Sequence, residues 1–252
     1  MGNQRLIKME NFILEKQKAT MDELCDTFHL SKNTVRRDLQ KLEDRGFITK
    51  VYGGAAAVQA SVSDPISTRD KKNKEAKQKI GELASTLVND NDVIYIDSGT
   101  TAVCMIPFLT QKNNVTIVTH AMTVLERVIK FPELTVMAVG GQYNPLTNAF
   151  FGPETLNSID ALHMTKAFLG CSGLTIEGGL SNETYYEPIL KNRVIEHSDK
   201  LIIVTDTSKI GHNALRTVCP LTFIDTLVTE KKPGIDIVSF CNDNGIRLLY
   251  EE

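Results

Sequence analysis

The chain has 252 residues, 42% of them apolar and 23% charged, which suits a folded chain of one mid-sized and one small domain and excludes a disordered one. No run approaches the ~18–20 consecutive apolar residues of a membrane span, and the charged opening MGNQRLIKMENFILEK lacks the apolar core of a secretory signal. The formal net charge of −3 hides an asymmetry: residues 1–56 carry ten Lys/Arg against eight Asp/Glu, and residues 57–252 carry eighteen against twenty-three. A balance of +2 is too small to establish nucleic-acid binding, so placement has to decide. Five scattered cysteines without a C-x-x-C pair (Cys25, Cys104, Cys171, Cys219, Cys241) argue against a disulfide framework or a zinc site. They are expected to be buried thiols in a reducing compartment. A cytoplasmic protein with no membrane contact, no metal and no cofactor is therefore expected.

In chain order, a first helix is read over residues 3–15, with Leu6, Met9, Ile13 and Leu14 as its apolar face. Thr20-Met-Asp-Glu23 has the spacing of a capping box and predicts a second helix that buries Leu24 and Phe28. It should stop at His29, a residue type that accepts the positive φ of a tight turn between helices. Ser31 caps a third helix, whose stripe Val35, Leu39, Leu42 steps by four and three, and Gly46 ends it. Residues 47–51 read as a short strand, and Gly53-Gly54 turns the chain back. Ser61, Ser63, Pro65 and Ser67 then lead into RDKKNKEAKQK, read as a linker over 57–75 and the start of an exposed helix. Lys71, Lys72, Lys74 and Lys77 could touch DNA, but they are assigned to its solvated face.

Beyond Ile80 helix and strand alternate. Strands are read at 93–97, 115–119, 134–139, 166–170, 201–205, 223–229 and 246–249, most of them apolar runs without polar alternation, as in strands buried on both faces. Helices are read at 101–109, 122–130, 153–162, 185–197 and 236–244. The pattern predicts an α/β domain with a largely parallel sheet over 76–252, behind a winged helix-turn-helix over 1–56.

The third helix carries the first functional signal. Ser31, Lys32, Asn33, Thr34, Arg36 and Arg37 lie off its buried stripe in the first two turns. A recognition helix presents such N-terminal residues to base edges, and Arg and Asn suit guanine and adenine. Lys50 and Tyr52 sit on the wing, where they can reach the DNA backbone. Each of these residues alone would pass for a solvated position on an amphipathic helix. Together, Ser31-Lys-Asn-Thr-Val-Arg-Arg-Asp-Leu-Gln-Lys-Leu-Glu-Asp-Arg-Gly46 and Tyr52-Gly-Gly-Ala55 resemble the signature of the DeoR family of sugar-catabolism regulators. The resemblance implies that this helix reads double-stranded operator DNA and that the Gly-Gly-Ala turn closes the wing. SKNTVRRDL, VYGGA and IDSGTT are also similar to the family's inositol-catabolism repressors.

The second signal is at strand ends. Asp97-Ser-Gly-Thr-Thr101 follows a strand and opens a helix, where small residues expose amides, hydroxyls donate and the helix terminus is positive. Ligands of open α/β sheets bind at the carboxyl ends of strands. Asp97, Ser98, Gly99, Thr100 and Thr101 are therefore assigned to an effector site. Asp206-Thr-Ser-Lys209 is a second such loop, with Lys209 suited to a phosphate and Asp206 to sugar hydroxyls. Thr119, Gly140, Gly141 and Gly170 lie at other strand ends, and Lys191, on a helix, joins the set. These segments resemble the DeoR C-terminal domain, over residues 69–225. The resemblance implies the fold of ribose-5-phosphate isomerase and a sugar-phosphate pocket. There are two departures: Thr119-His120 where the family has T-N, and Thr165 where it often has Asp. His120 could contact a ligand, but it is read as a satisfied histidine at a helix start.

These readings predict a repressor of a sugar or polyol catabolic operon, relieved by a small phosphorylated sugar or polyol effector. It should act as a homodimer or homotetramer, because one small winged helix rarely makes enough specific contacts. The alternative is a sugar-phosphate isomerase-like enzyme carrying a DNA-binding appendage. Asp97, Glu177, Glu183, Glu187 and Asp206 could serve as acids or bases. Ile176-Glu-Gly-Gly-Leu180 does not reproduce the isomerase's K-G-G-G stretch, however, and no other catalytic motif is present. Asp97 is read as a partner for a ligand hydroxyl or the local backbone, and no enzymatic activity is expected.

Overall fold

The structure, a computed structural model, describes residues 5–6, 8–9, 12–13, 16, 18–44, 48–57, 66–145, 147–184 and 186–251. They form two compact units, residues 1–62 with 184–189, and residues 63–183 with 190–252.

The first unit is built on apolar spacing. Arg5, Leu6, Lys8, Met9, Phe12, Ile13 and Lys16 are helical, and Leu6, Met9 and Ile13 are buried on one face. Leu14, expected on that face, lies outside the described residues, as do Gly46, Phe47, Ser61, Ser63 and Pro65. Thr20 and Glu23 form the expected capping box at the head of helix Met21–Phe28, and His29 ends it in the left-handed region with φ 51°. Helix Lys32–Asp44 follows. Its stripe Val35, Leu39 and Leu42 joins Leu24, Met9 and Ile13 in one core cluster. Asp38 lies on the same helix but is buried, because Arg5 grips it with two parallel hydrogen bonds of 2.8 and 3.0 Å.

The wing has three strands, where one strand and a turn were expected. β1 (Lys18–Thr20), β2 (Ile48–Val51) and β3 (Gly54–Ala57) make an antiparallel sheet in the order β1-β3-β2. Gly53 turns with φ +81°. At Gly54 a Cβ would stand 2.1 Å from the Ala19 carbonyl oxygen, so only glycine lets β1 and β3 approach.

In the second unit two helices open the chain, Ile66–Lys71 and Lys74–Ser85, separated by Asn73 in the left-handed region at φ 53°. Residues expected in the linker are thus helical from Ile66. Lys77 is not on a solvated face: it is buried, and its ammonium donates to the Arg69 carbonyl in the preceding helix. The strands that follow are β4 (Val93–Ile96), β5 (Thr116–Thr119), β6 (Thr135–Ala138), β7 (Gln142–Asn144), β8 (Ala149–Phe151), β9 (Lys166–Leu169), β10 (Gly173–Thr175), β11 (Gly179–Asn182), β12 (Leu201–Val204), β13 (Arg216–Cys219), β14 (Thr226–Val228) and β15 (Arg247–Leu249). All seven strands read from the sequence fall in a single parallel sheet, in the order β15-β14-β12-β9-β4-β5-β6. Its centre is fully buried and apolar except for the Tyr95 hydroxyl: Ile94, Tyr95, Ile96, Ala167, Phe168 and Leu169 have no exposure. The hairpin β7-β8 and the antiparallel sheet β10-β11-β13 were not anticipated.

Three further expectations need correction. Residues 102–111 wind as a 3-10 helix instead of an α-helix; Pro107 in its middle has no N–H for an α-helical bond. Phe223 belongs to a short 3-10 turn (Leu221–Phe223) and is exposed, so that strand begins only at Thr226. The five cysteines are free thiols, but only Cys219 and Cys241 are buried. The remaining helices are Met122–Val128, Pro153–Asp160, Tyr186–Glu196 and Ile235–Asp243. Among the described residues, no helix is long and apolar enough to cross a membrane and no group of three or more metal-ligating side chains occurs.

Candidate functional site

On the first unit, burial of Val35, Leu39 and Leu42 turns the opposite face of helix Lys32–Asp44 outward. Lys32, Asn33, Arg36 and Arg37 are exposed along its first two turns. Ser31 is exposed and caps the helix, its hydroxyl accepting from the Thr34 N–H at 3.3 Å and lying 3.0 Å from the half-buried Thr34 hydroxyl. Lys32 pairs with Asp22 across the two helices at 2.8 Å. Both partners are exposed, so this contact can give way to a phosphate at little cost. Lys50 on the wing is tied back to helix Lys32–Asp44. Its ammonium pairs with Glu43 at 3.0 Å and donates to Gln40, while its N–H donates to Glu43 at 2.8 Å. Tyr52, at the tip of the turn, is fully exposed. The expected DNA-facing residues thus share one surface of one helix and its attached wing. Sequence reasoning missed Asp22 and Glu43, which hold Lys32 and Lys50, and the Arg5–Asp38 pair underneath.

On the second unit, four adjacent strands deliver the expected effector residues to one edge of the sheet. Asp206 follows β12, Gly170 follows β9, Asp97 follows β4 and Thr119 ends β5, in the order of the sheet itself. Asp97 is buried and its carboxylate accepts from the Gly170 N–H at 3.0 Å and pairs with Lys191 at 3.0 Å. The Lys191 ammonium also donates to the Gly170 carbonyl at 2.6 Å and to Asn182 Oδ1 at 3.1 Å. Burial alone would raise the Asp97 pKa, but the ammonium and the Gly170 N–H outweigh it and hold the carboxyl below the ordinary range. A carboxylate so bound is a structural anchor and a poor proton acceptor. The Lys191 cation, assigned from sequence on slender grounds, is the centre of this network.

Other expected residues are similarly committed. The Thr119 hydroxyl donates to the Ile96 carbonyl at 2.8 Å and accepts from the Ala121 N–H at 3.1 Å. Asp206 caps the turn Thr207–Lys209 and accepts from Asn73 Nδ2 at 3.1 Å. Ser98 and Thr100 are buried, while Gly99, Thr101 and Lys209 are half-buried. Gly140 and Gly141 are exposed beyond β6, at the rim of the sheet. They serve the backbone: the Gly140 carbonyl accepts the Thr155 hydroxyl at 2.8 Å. A Cβ on Gly141, which has φ +153°, would fall 2.2 Å from that hydroxyl.

Sequence reasoning read His120 as satisfied, and the structure shows it half so. It is buried, its Nδ1 lies 2.6 Å from the Tyr95 hydroxyl, and its Nε2 has no hydrogen-bond partner. Burial, helped by the nearby Lys191 charge and opposed by Asp97, lowers its pKa to about 4, so the ring is neutral at pH 7. Lys77 was missed as part of this region. Burial lowers its pKa, Asp206 and Asp70 oppose that, and Lys209 adds to it, which puts two cations beside the Asp206 loop. Thr165, the other departure, donates to Asp92 at 2.9 Å at the opposite end of β9.

Comparison with known proteins agrees with this architecture. Residues 5–61 match the model of the DeoR-like helix-turn-helix domain, and residues 72–231 that of the DeoR C terminal sensor domain. The HTH-type transcriptional regulator IolR of Bacillus subtilis is 32% identical over 242 residues, covering 96% of each chain. The glycerol-3-phosphate regulon repressor of Escherichia coli is 27% identical over 96% of this chain and 94% of its own. Ribose 5-phosphate isomerase A from Neisseria gonorrhoeae aligns over 56% of this chain and 54% of its own, at 18% identity and a TM-score of 0.40. That likeness is too loose to carry any chemistry across. With both halves matched in order and a relative above 30% identity along nearly its whole length, the chain belongs to the DeoR family of transcriptional regulators.

Proposed function

We propose that this protein represses a sugar or polyol catabolic operon and releases its operator when a small phosphorylated catabolite binds the sensor unit. Residues 1–56 form the DNA-binding head, 57–75 the linker and 76–252 the sensor, and a cytoplasmic homodimer or homotetramer sets two heads on repeated half-sites. The observation that carries the reading is the recognition helix, whose Asn33, Arg36 and Arg37 stand in solvent over a fully buried Val35/Leu39/Leu42 stripe. The name of one relative, a glycerol-3-phosphate regulon repressor, supports a phosphorylated polyol effector. No catalysis is assigned to the sensor, because Asp97, the acid best placed in its loops, is consumed by Lys191 and Gly170.

The test is fluorescence anisotropy of the full chain on DNA from its own upstream region, against random DNA at equal salt. Specific binding should exceed non-specific binding by ~10³-fold or more. Arg36→Ala or Arg37→Ala should each cost about 1–3 kcal/mol where the side chain reads a base. Equal affinity for both DNAs, or unchanged binding in both variants, would remove this helix from the groove. Turnover of a pentose or hexose phosphate by the full chain would restore the enzyme reading.

A further inference from the structure

The edge cluster of Asp97, Lys191, Thr119 and Asp206 is satisfied from within, which leaves few of its atoms for a ligand. Unsatisfied atoms stand next to it. Among the described residues, the buried side-chain nitrogens and oxygens without a hydrogen-bond partner are His120 Nε2 and Thr123 Oγ1, three positions apart just after β5. A buried polar atom left unpaired is costly, and native proteins keep few of them. Thr123 lines a cavity of about 240 Å³ together with Thr100, Asp70, Glu126, Arg127 and Lys130. Arg127 is half-buried, and its guanidinium makes no hydrogen bond or ion pair among the described residues.

We propose that this cavity is a phosphate-monoester subsite. Arg127 takes the phosphate with its planar fork, the Thr100 and Thr123 hydroxyls donate to it, and Lys130 completes the charge. Two cations suit a group carrying ≈ −1.5 to −2 charges at neutral pH. Asp70 and Glu126, both exposed at the same cavity, accept from the hydroxyls of the remaining polyol. A volume below the ~300–1,000 Å³ of drug-sized pockets fits a small ligand. The proposal rests on the reading that this unit senses a small phosphorylated molecule. It adds Asp70, Thr123, Glu126, Arg127 and Lys130, none of which the sequence had marked. It also supplies a route for regulation, since Asp70 belongs to helix Ile66–Lys71, the first described element after wing strand β3 along the chain. A ligand here contacts that segment directly.

The test uses the full chain, calorimetric titration and thermal melting, with inorganic phosphate and a panel of hexose and polyol monophosphates. The unphosphorylated compounds are controls. Arg127→Ala should weaken the best-bound phosphate at least about ten-fold, as expected for losing a charged hydrogen-bond partner. Thr123→Val should weaken it too, yet raise the melting temperature without ligand, because a methyl replaces an unpaired buried hydroxyl. A merely destabilised protein would not show that combination. If a phosphate stabilises the wild type and both variants equally, the subsite is overturned and the sensor reading stands. If Thr123→Val melts lower with phosphate affinity unchanged, the hydroxyl holds a structural water and the subsite is again overturned. If no phosphate binds the wild type, the subsite and the phosphorylated effector fall together.

Discussion

His120 couples the effector edge to pH. Its ring is buried against Tyr95 and Phe151, with centroids 5.9 and 5.2 Å away, and its pKa falls to about 4 from an ordinary 6.5. The folded state therefore binds this proton less readily than the unfolded state does. Stability is complete above pH 6.5 and declines as pH falls towards 4, by about 3 kcal/mol in total. Asp97 has the opposite character. Its folded pKa lies below the ordinary 3.8, so its stabilisation persists through that window and is lost only in stronger acid. Melting of the full chain between pH 7 and pH 4 should show the His120 loss, and His120→Asn should flatten it. A wild-type profile already flat across that range would mean that Nε2 is solvated or paired in solution. The sequence announced none of this: His120 differs from a satisfied histidine only through partners on β4 and β8, which no local spacing discloses.

At the scale of elements, what the sequence disclosed was what depends on the element's own residues. The five inner strands of the parallel sheet, β14, β12, β9, β4 and β5, are mostly apolar runs because both faces are covered, and such runs are visible without knowing what covers them; the edge strands β6 and β15 are partly exposed. The capping box at Thr20 and the turn at His29 are local chemistry and stand where expected. β1, β10, β11 and β13 have three or four residues each and exist only through their partners, so no period marks them. Pro107 was the available warning that residues 102–111 would not close α-helical bonds. The strand-end loops were visible as Gly and Thr after apolar runs. That Lys191 would consume Asp97 was not, because the two meet only when β4 and helix Tyr186–Glu196 come together. The wing offers the sharpest element-scale prediction. Gly54→Ala forces a Cβ onto the Ala19 carbonyl and must separate β1 from β3. It should destabilise the head by about 1–3 kcal/mol and weaken operator binding, while the response to phosphates in melting survives. If the variant binds DNA as the wild type does, β1 does not hold the wing.

For the whole molecule, the regulator reading makes a demand that no single contact can meet. If an effector weakens operator affinity by some factor, the operator must weaken effector affinity by the same factor, because both report one coupling free energy. The charges make this measurable. Residues 57–252 carry the acidic excess and residues 1–56 the basic one, so DNA binding should fall steeply with salt, by ~0.9 in log-log slope for each phosphate neutralised. Effector binding away from the DNA should respond far less. The coupling factor must therefore be compared at one fixed ionic strength, where ~1–3 kcal/mol corresponds to about 5–150-fold. Titrating the best-bound phosphate with and without saturating operator DNA, then the operator with and without saturating phosphate, should give the same ratio. Arg127→Ala should shift the phosphate concentration that releases DNA without changing operator affinity in its absence. If the phosphate binds tightly but both ratios equal one, it is a ligand without differential affinity for the two states and cannot be the inducer, however well it fills the cavity.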